Sequence, residues 1–272
     1  MAKHILEKTP QNIDCSDLTA IPRFQFAIEL LLPLPWLGLS LVLYSGVLWP
    51  LGVFGSFMFF LCCLRLNHEA IHNNLGLSRR WDCVIMHGLS AVMIGSNHAD
   101  AFCHLKHHRD TLGPYDHEGH CAHMTFWQVF RYGPRFPVEL NRAAWKAGSA
   151  FWRKRIAVDW ICVGAFAVIV LLSGERLLLF HLMAMIAGQC MTAFFAVWIT
   201  HQGTQGRGIA GRSQRGLVAR LGYLMFYHRE HHLFPKVPVS RLPELAKRLD
   251  GAVPGYADAR MAVTPIFDWK EG

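Results

Sequence analysis

The side chains able to do chemistry in this chain are its histidines, and their spacing matters more than their number. Sixteen are present, and most are clustered. His68 and His72 frame "HEAIH", with Glu69 beside the first. His104, His107 and His108 form "HLKHH"; His228, His231 and His232 form "HREHH"; His201 stands alone in "WITHQ". Positions i, i+3 and i+4 share a helix face, so each box presents two or three imidazoles toward one point if its segment is helical. Read alone, H-E-x-x-H is the signature of a zinc metalloprotease, with the glutamate as general base. That reading uses His68, Glu69 and His72 and leaves the other boxes idle. Zinc takes about four ligands, whereas nine imidazoles suit two metal ions. Imidazole binds Zn, Cu, Fe and Ni alike, so ligand type alone does not choose the metal. Attack on an unactivated C–H bond would require a redox metal and oxygen, which excludes zinc.

The elements that must position these rings are read from hydropathy. The chain has 272 residues, is 52% apolar and carries a net charge of +8. Apolar and basic together indicate a membrane protein with a cationic cytoplasmic face. Long apolar runs fit nucleic-acid binding poorly. Residues 1–23 are polar and show no cleavable signal peptide. Residues 24–66 are almost continuously apolar, about twice the ~20 residues needed for one crossing. Ser45-Gly46 divides them into expected spans at about 24–44 and 47–66, the first kinked at Pro33 and Pro35. Two more spans are expected at about 156–173 and 177–200. Residues 83–95 are apolar but too short to cross, and predict a re-entrant or interfacial helix. Residues 217–227 predict an amphipathic surface helix.

Charge orients this arrangement. Residues 65–155 carry twelve Lys and Arg, residues 201–272 carry eleven, and the two expected outer turns carry only Arg176. The positive-inside rule then places both termini and all four histidine groups on the cytoplasmic side of an integral, multi-pass membrane protein. All nine boxed histidines can converge at one depth. A metal transporter would instead string its ligands across the bilayer. The expected fold is therefore all-α: about four transmembrane helices under a cytoplasmic, histidine-rich helical cap. The expected divisions are a cytoplasmic segment 1–23, a membrane domain 24–250 and a tail 251–272. His87, His98 and His181 read as ordinary hydrogen-bonded residues, and His4 lies in a polar tail. His117, His120 and His123 lack the box spacing. The eight cysteines contain no C-x-x-C and imply neither a disulfide framework nor a zinc ribbon.

"HEAIH", "HLKHH" and "HREHHLFPKVPVSRLPEL" resemble the three histidine boxes of the integral-membrane fatty acid desaturase and hydroxylase superfamily, over about residues 24–250. The resemblance implies a non-haem centre of two Fe ions that activates O2 with two electrons from an external carrier. A hydrocarbon chain then loses hydrogen, giving a double bond or, after oxygen rebound, an alcohol. By matching positions the ligands would be His68, His72, His104, His107, His108, His201, His228, His231 and His232, with no division between the two irons implied. Animal-type acyl-CoA desaturases carry Asn four residues before the lone histidine, where this chain has Val197. No His-Pro-Gly-Gly haem motif is present, so the expected donor is a separate ferredoxin, rubredoxin or cytochrome.

Metal-bound imidazoles commonly donate their other N–H to a carboxylate, which fixes tautomer and orientation. Glu69, Asp110, Asp116, Glu118 and Glu230 are the candidates for that role. Carotenoid ketolases and hydroxylases also carry acids after the second box. The expected activity is fatty acyl desaturation, with hydroxylation or ketolation as the alternative and zinc proteolysis as a distant one.

Overall fold

A computed structural model describes residues 9, 10 and 13–264; His4 and the end of the tail lie outside them. Among the described residues there is no β-strand, only an isolated bridge between Ser213 and Tyr227. Helices α1 (Arg23–Leu31) and α2 (Leu34–Leu43) meet at Pro33 and together form one apolar segment. Three further helical segments are long and apolar enough to cross a membrane: α3 (Trp49–His72), α8 (Ala150–Ser173) and the run Arg176–His201. The last is built from α9 (Arg176–Thr192), a π-helical turn at Ala193–Trp198, and α10 (Ile199–His201).

Close approach holds the first pair together. A Cβ on Gly55 of α3 would stand 2.9 Å from the backbone nitrogen of Ser40 on α2, so only glycine lets the helices meet there. The Ser40 and Ser56 hydroxyls are hydrogen-bonded at 2.6 Å beside that contact. Deeper in, Arg65 of α3 donates from Nε and Nη2 to the two carboxylate oxygens of Glu29, at 2.8 and 2.5 Å. Both residues are buried, and removing either would strand the other charge.

The segment between α3 and α8 folds as α4 (Arg79–Met93), α5 (Asn97–Arg109), α6 (Phe126–Tyr132) and α7 (Phe136–Ala147). Helix α4 covers the stretch expected to be short and apolar. Asn73 stops α3 in the left-handed conformation, with φ 59°. Ser96 caps α5 by accepting from Ala99 N–H, an arrangement worth about 1 kcal/mol. Thr125 and Gln128 form a capping box at α6.

Helices α11 (Gly216–Leu221), α12 (His228–Leu233) and α13 (Leu242–Ala252) complete the cap. Leu242, Leu245, Ala246 and Leu249 on one face of α13 are fully buried against Ala219, Tyr227 and Leu233. The helix expected over 217–227 is shorter than its hydrophobic pattern. It ends at Leu221, and Tyr223 and Leu224 turn left-handed. Tertiary contacts explain the break: the Tyr223 hydroxyl accepts from Trp36 Nε1 at 2.5 Å, and its carbonyl accepts from Arg65. Continuing the helix would forfeit both.

Candidate metal centre

Local helix geometry brings the boxed histidines together. His68 and His72 lie on the last turns of α3, where the apolar run ends, and His201 ends the fourth long segment. The π turn just before His201 inserts an extra residue per turn, which re-aims the ring. Helix α12, only six residues long, is fixed by its surroundings. Arg229 N–H donates to the Arg212 carbonyl at 3.1 Å, and Arg212 N–H donates to the Thr200 carbonyl at 2.7 Å.

All nine rings meet through Nε2, in two groups. His68, His231, His108, His104 and His72 form one, with successive Nε2 separations of 2.8, 2.9, 3.1 and 3.1 Å. His107, His201, His228 and His232 form the other, with separations of 3.0, 2.7 and 3.1 Å. The two H-x-x-H-H boxes are used reciprocally. Helix α5 gives His104 and His108 to the first group and His107 to the second; α12 gives His228 and His232 to the second and His231 to the first. At about 100° per residue, i and i+4 differ by only about 40°, while i+3 falls on the other side by about 60°. Each short helix therefore straddles both groups.

The acids behind these rings hold the far nitrogens. His107 Nδ1 is 2.6 Å from Asp116 Oδ2, and His104 Nδ1 is 2.9 Å from Glu118 Oε1. His232 Nδ1 is 3.3 Å from the Thr111 hydroxyl, which itself donates to the His107 carbonyl at 2.8 Å. Asp116 is held in turn by the Leu112 and Gly119 N–H groups, each at 2.8 Å. Glu69 Oε1 stands 3.5 Å from His68 Nδ1 and accepts from Val239 N–H at 3.2 Å. It faces away from the Nε2 cluster, the wrong side for a hydrolytic base. Glu230 accepts from the Ser213 hydroxyl at 2.6 Å and from Arg215 at 3.0 Å, anchoring α12 rather than a ring. Asp110 folds over Gly113 at the start of the loop.

This donor set fits metal ions. Where a carboxylate takes Nδ1–H, as at His104 and His107, the neutral ring is left with a lone pair at Nε2, the form that binds a metal ion. Burial, with repulsion from neighbouring rings, holds His108, His228, His231 and His232 well below the usual imidazole range, which keeps them neutral and ready to bind. His107 goes the other way. Burial pulls it down, but Asp116 outweighs that and leaves it raised. With metal–nitrogen bonds of about 2.1 Å, ligands at right angles stand about 3.0 Å apart and tetrahedral ones about 3.4 Å. The observed 2.7–3.1 Å separations put the Nε2 atoms of each group within reach of one ion.

An apolar cavity of about 290 Å³ opens against this cluster. His68, His104 and His228 lie in its wall, with Phe57, Phe195 and Phe226 among the apolar residues. Asp100 and Glu118 also face it. Burial pushes the Asp100 carboxyl up to about 8, with Glu118 and Asp159 adding repulsion. Asp100, like Thr111, carries no motif. Only its i−4 relation to His104 hinted at its position.

His181, read as an ordinary polar residue, is one: its Nε2 bonds the Val92 carbonyl at 2.9 Å. His87 and His98, read the same way, are not solitary. They converge with Cys83. The missed signal was Asp159, a carboxylate within an apolar span.

A family model described as "Fatty acid desaturase" matches residues 43–264, which takes in every one of these histidines. Neither the curated proteins nor the solved structures contain a match to the chain.

Proposed function

Because the chain belongs to the fatty acid desaturase family, an oxidoreductase family, we propose that it is a membrane-bound, O2-dependent di-iron oxidase that inserts a double bond into a fatty acyl chain. The observation that carries this reading is the apolar cavity ending on His68, His104 and His228. Such a cavity suits a substrate with no polar handle along most of its length. Two irons would be held by His68, His72, His104, His108 and His231 on one side and His107, His201, His228 and His232 on the other. Bound there, they would supply the one-electron chemistry that O2 activation and C–H cleavage require.

The protein's own part is positional. Asp116 and Glu118 hold protons at Nδ1 of His107 and His104, which fixes both rings with Nε2 inward. Phe57, Leu61, Phe195 and Phe226 line the path of the chain and exclude water from the reacting carbon. The cytoplasmic orientation expected from the charge bias would present the cap to a soluble ferredoxin, rubredoxin or cytochrome. The basic residues of 65–155 and 201–264 would then steer an acidic donor.

Two measurements test the reading. The intact chain purified in detergent should hold about two irons, as one ion for each histidine group requires. Lipids from a producing host should show products lighter by two hydrogens. His231→Ala should abolish both. Products heavier by one oxygen would move the activity to hydroxylation, the alternative on the same scaffold. Iron-free protein, or activity that survives His231→Ala, would overturn the proposal.

A further inference from the structure

A second cluster of metal-binding side chains lies apart from the nine histidines. Cys83 and His87, one turn apart on α4, meet His98 on the first turn of α5. Cys83 Sγ is 3.4 Å from Nε2 of His87 and 3.4 Å from Nε2 of His98. Both far nitrogens bind one carboxylate. Asp159 Oδ1 is 2.5 Å from His87 Nδ1 and 3.0 Å from His98 Nδ1. Asp159 comes from α8, is fully buried, and is held further by the Ser96 hydroxyl at 2.7 Å and the His98 N–H at 2.9 Å.

Proton counting shows what is missing. With Asp159 accepting from both Nδ1 atoms, both neutral rings carry bare lone pairs at Nε2. The Cys83 thiol has one hydrogen and can satisfy only one of them. A cation satisfies all three donors at once. Distances favour a tetrahedral ion. With bonds of about 2.3 Å to sulfur and 2.05 Å to nitrogen, tetrahedral sulfur and nitrogen ligands stand about 3.6 Å apart, right-angled ones about 3.1 Å. The observed 3.4 Å thus differs from the closer spacing of the nine-histidine groups. Charge also balances: a dication meets one thiolate and one buried carboxylate.

We propose that Cys83, His87 and His98 bind one zinc-class divalent cation, with Asp159 orienting both imidazoles. The ion pins α4 and α5 to α8, and its binding releases the Cys83 proton to solvent. The site reaches the protein surface, where Cys83 is partly exposed and the His87 side chain is 20% exposed.

The test uses the intact chain in detergent, stripped of metal and titrated with Co2+. A thiolate-to-cobalt charge-transfer absorption is expected, and Cys83→Ser should remove it. The nine-histidine groups contain no thiolate and cannot produce that band. His87→Ala should lower bound zinc by one equivalent per chain and leave iron unchanged. Alkylation of Cys83 in the wild-type protein, followed by peptide mass spectrometry, gives a readout that needs no variant. Zn2+ should slow it about ten-fold or more, because the metal-bound thiolate is a poorer nucleophile than a free one. No charge-transfer band in the wild type, the same band in Cys83→Ser, or alkylation indifferent to Zn2+ would each overturn the proposal.

Discussion

His107 and Asp116 are joined by a 2.6 Å contact between Nδ1 and Oδ2, with both side chains almost completely buried. The aspartate is itself fixed by two backbone N–H groups, so the ring inherits its direction from the loop after the second box. Asp116→Asn keeps the shape but weakens the acceptor that fixes the tautomer. Metal affinity of the His107, His201, His228 and His232 group should fall about 10–100-fold. At a chelator concentration the wild type withstands, iron should drop toward one per chain. Unchanged retention of both irons would sink the idea that Asp116 orients this group.

Thr192 lies in the cavity wall and is half-buried. Thr192 belongs to neither histidine group, and Thr192→Trp should fill part of that space. Turnover of a long acyl chain should fall about 10²-fold through mispositioning, with iron content unchanged. If turnover and product pattern stayed as in the wild type, this cavity would not be the substrate path.

Asp100 sets up a pH effect in metal-stripped protein. Its carboxyl titrates near 8 in the folded state, against an ordinary value of 3.8. Between those values the unfolded chain has released the proton and the folded chain retains it. Stability contributed by this group is therefore fully present below 3.8 and is lost as pH rises toward 8. Asp100→Asn removes the loss. Its melting temperature should exceed that of the wild type by a margin that grows from pH 5 to pH 8. A margin independent of pH would show that the group does not titrate as its surroundings demand. Because other groups titrate equally in both proteins, the difference isolates Asp100.

The Arg65–Glu29 pair binds α3 to α1 with two parallel hydrogen bonds. Glu29→Gln leaves a buried guanidinium without a counter-charge and should cost about 3–5 kcal/mol. The double variant Glu29→Leu/Arg65→Met removes both charges and should recover most of that loss, short of the hydrogen bond to the Tyr223 carbonyl. Thermal melts in detergent compare the three proteins. A double variant as unstable as the single one would mean that packing, not the stranded charge, sets the cost.

Much of this protein was legible along the chain because two signals are local. Hydropathy accumulates over consecutive residues, so four long apolar helices and the short helix near 83–95 could be read without knowing what they touch. Helical periodicity is equally local. The i and i+4 members of each histidine box share a direction, and His104 with His108 and His228 with His232 do so in the structure.

Tertiary structure decided what depends on neighbours distant in sequence. Nothing in "HLKHH" says that His107 turns toward His201 while His108 turns toward His231. That division follows from where α3, α10 and α12 stand around α5. The candidate acids look alike as text, yet only Asp116 and Glu118 come within hydrogen-bond distance of a boxed ring; Glu69 stands 3.5 Å from His68 and accepts from Val239, and Glu230 accepts from Ser213 and Arg215. His87 and His98 were indistinguishable from solitary histidines because the residue that unites them, Asp159, is more than sixty positions away. Sequence by itself marked the four long apolar helices and the nine boxed histidines, whereas α6, α7, α13 and the meeting of Cys83, His87 and His98 emerged only in the structure. Packing across the membrane helices decided which of them meet, because contacts between residues far apart along the chain leave no periodic mark on it.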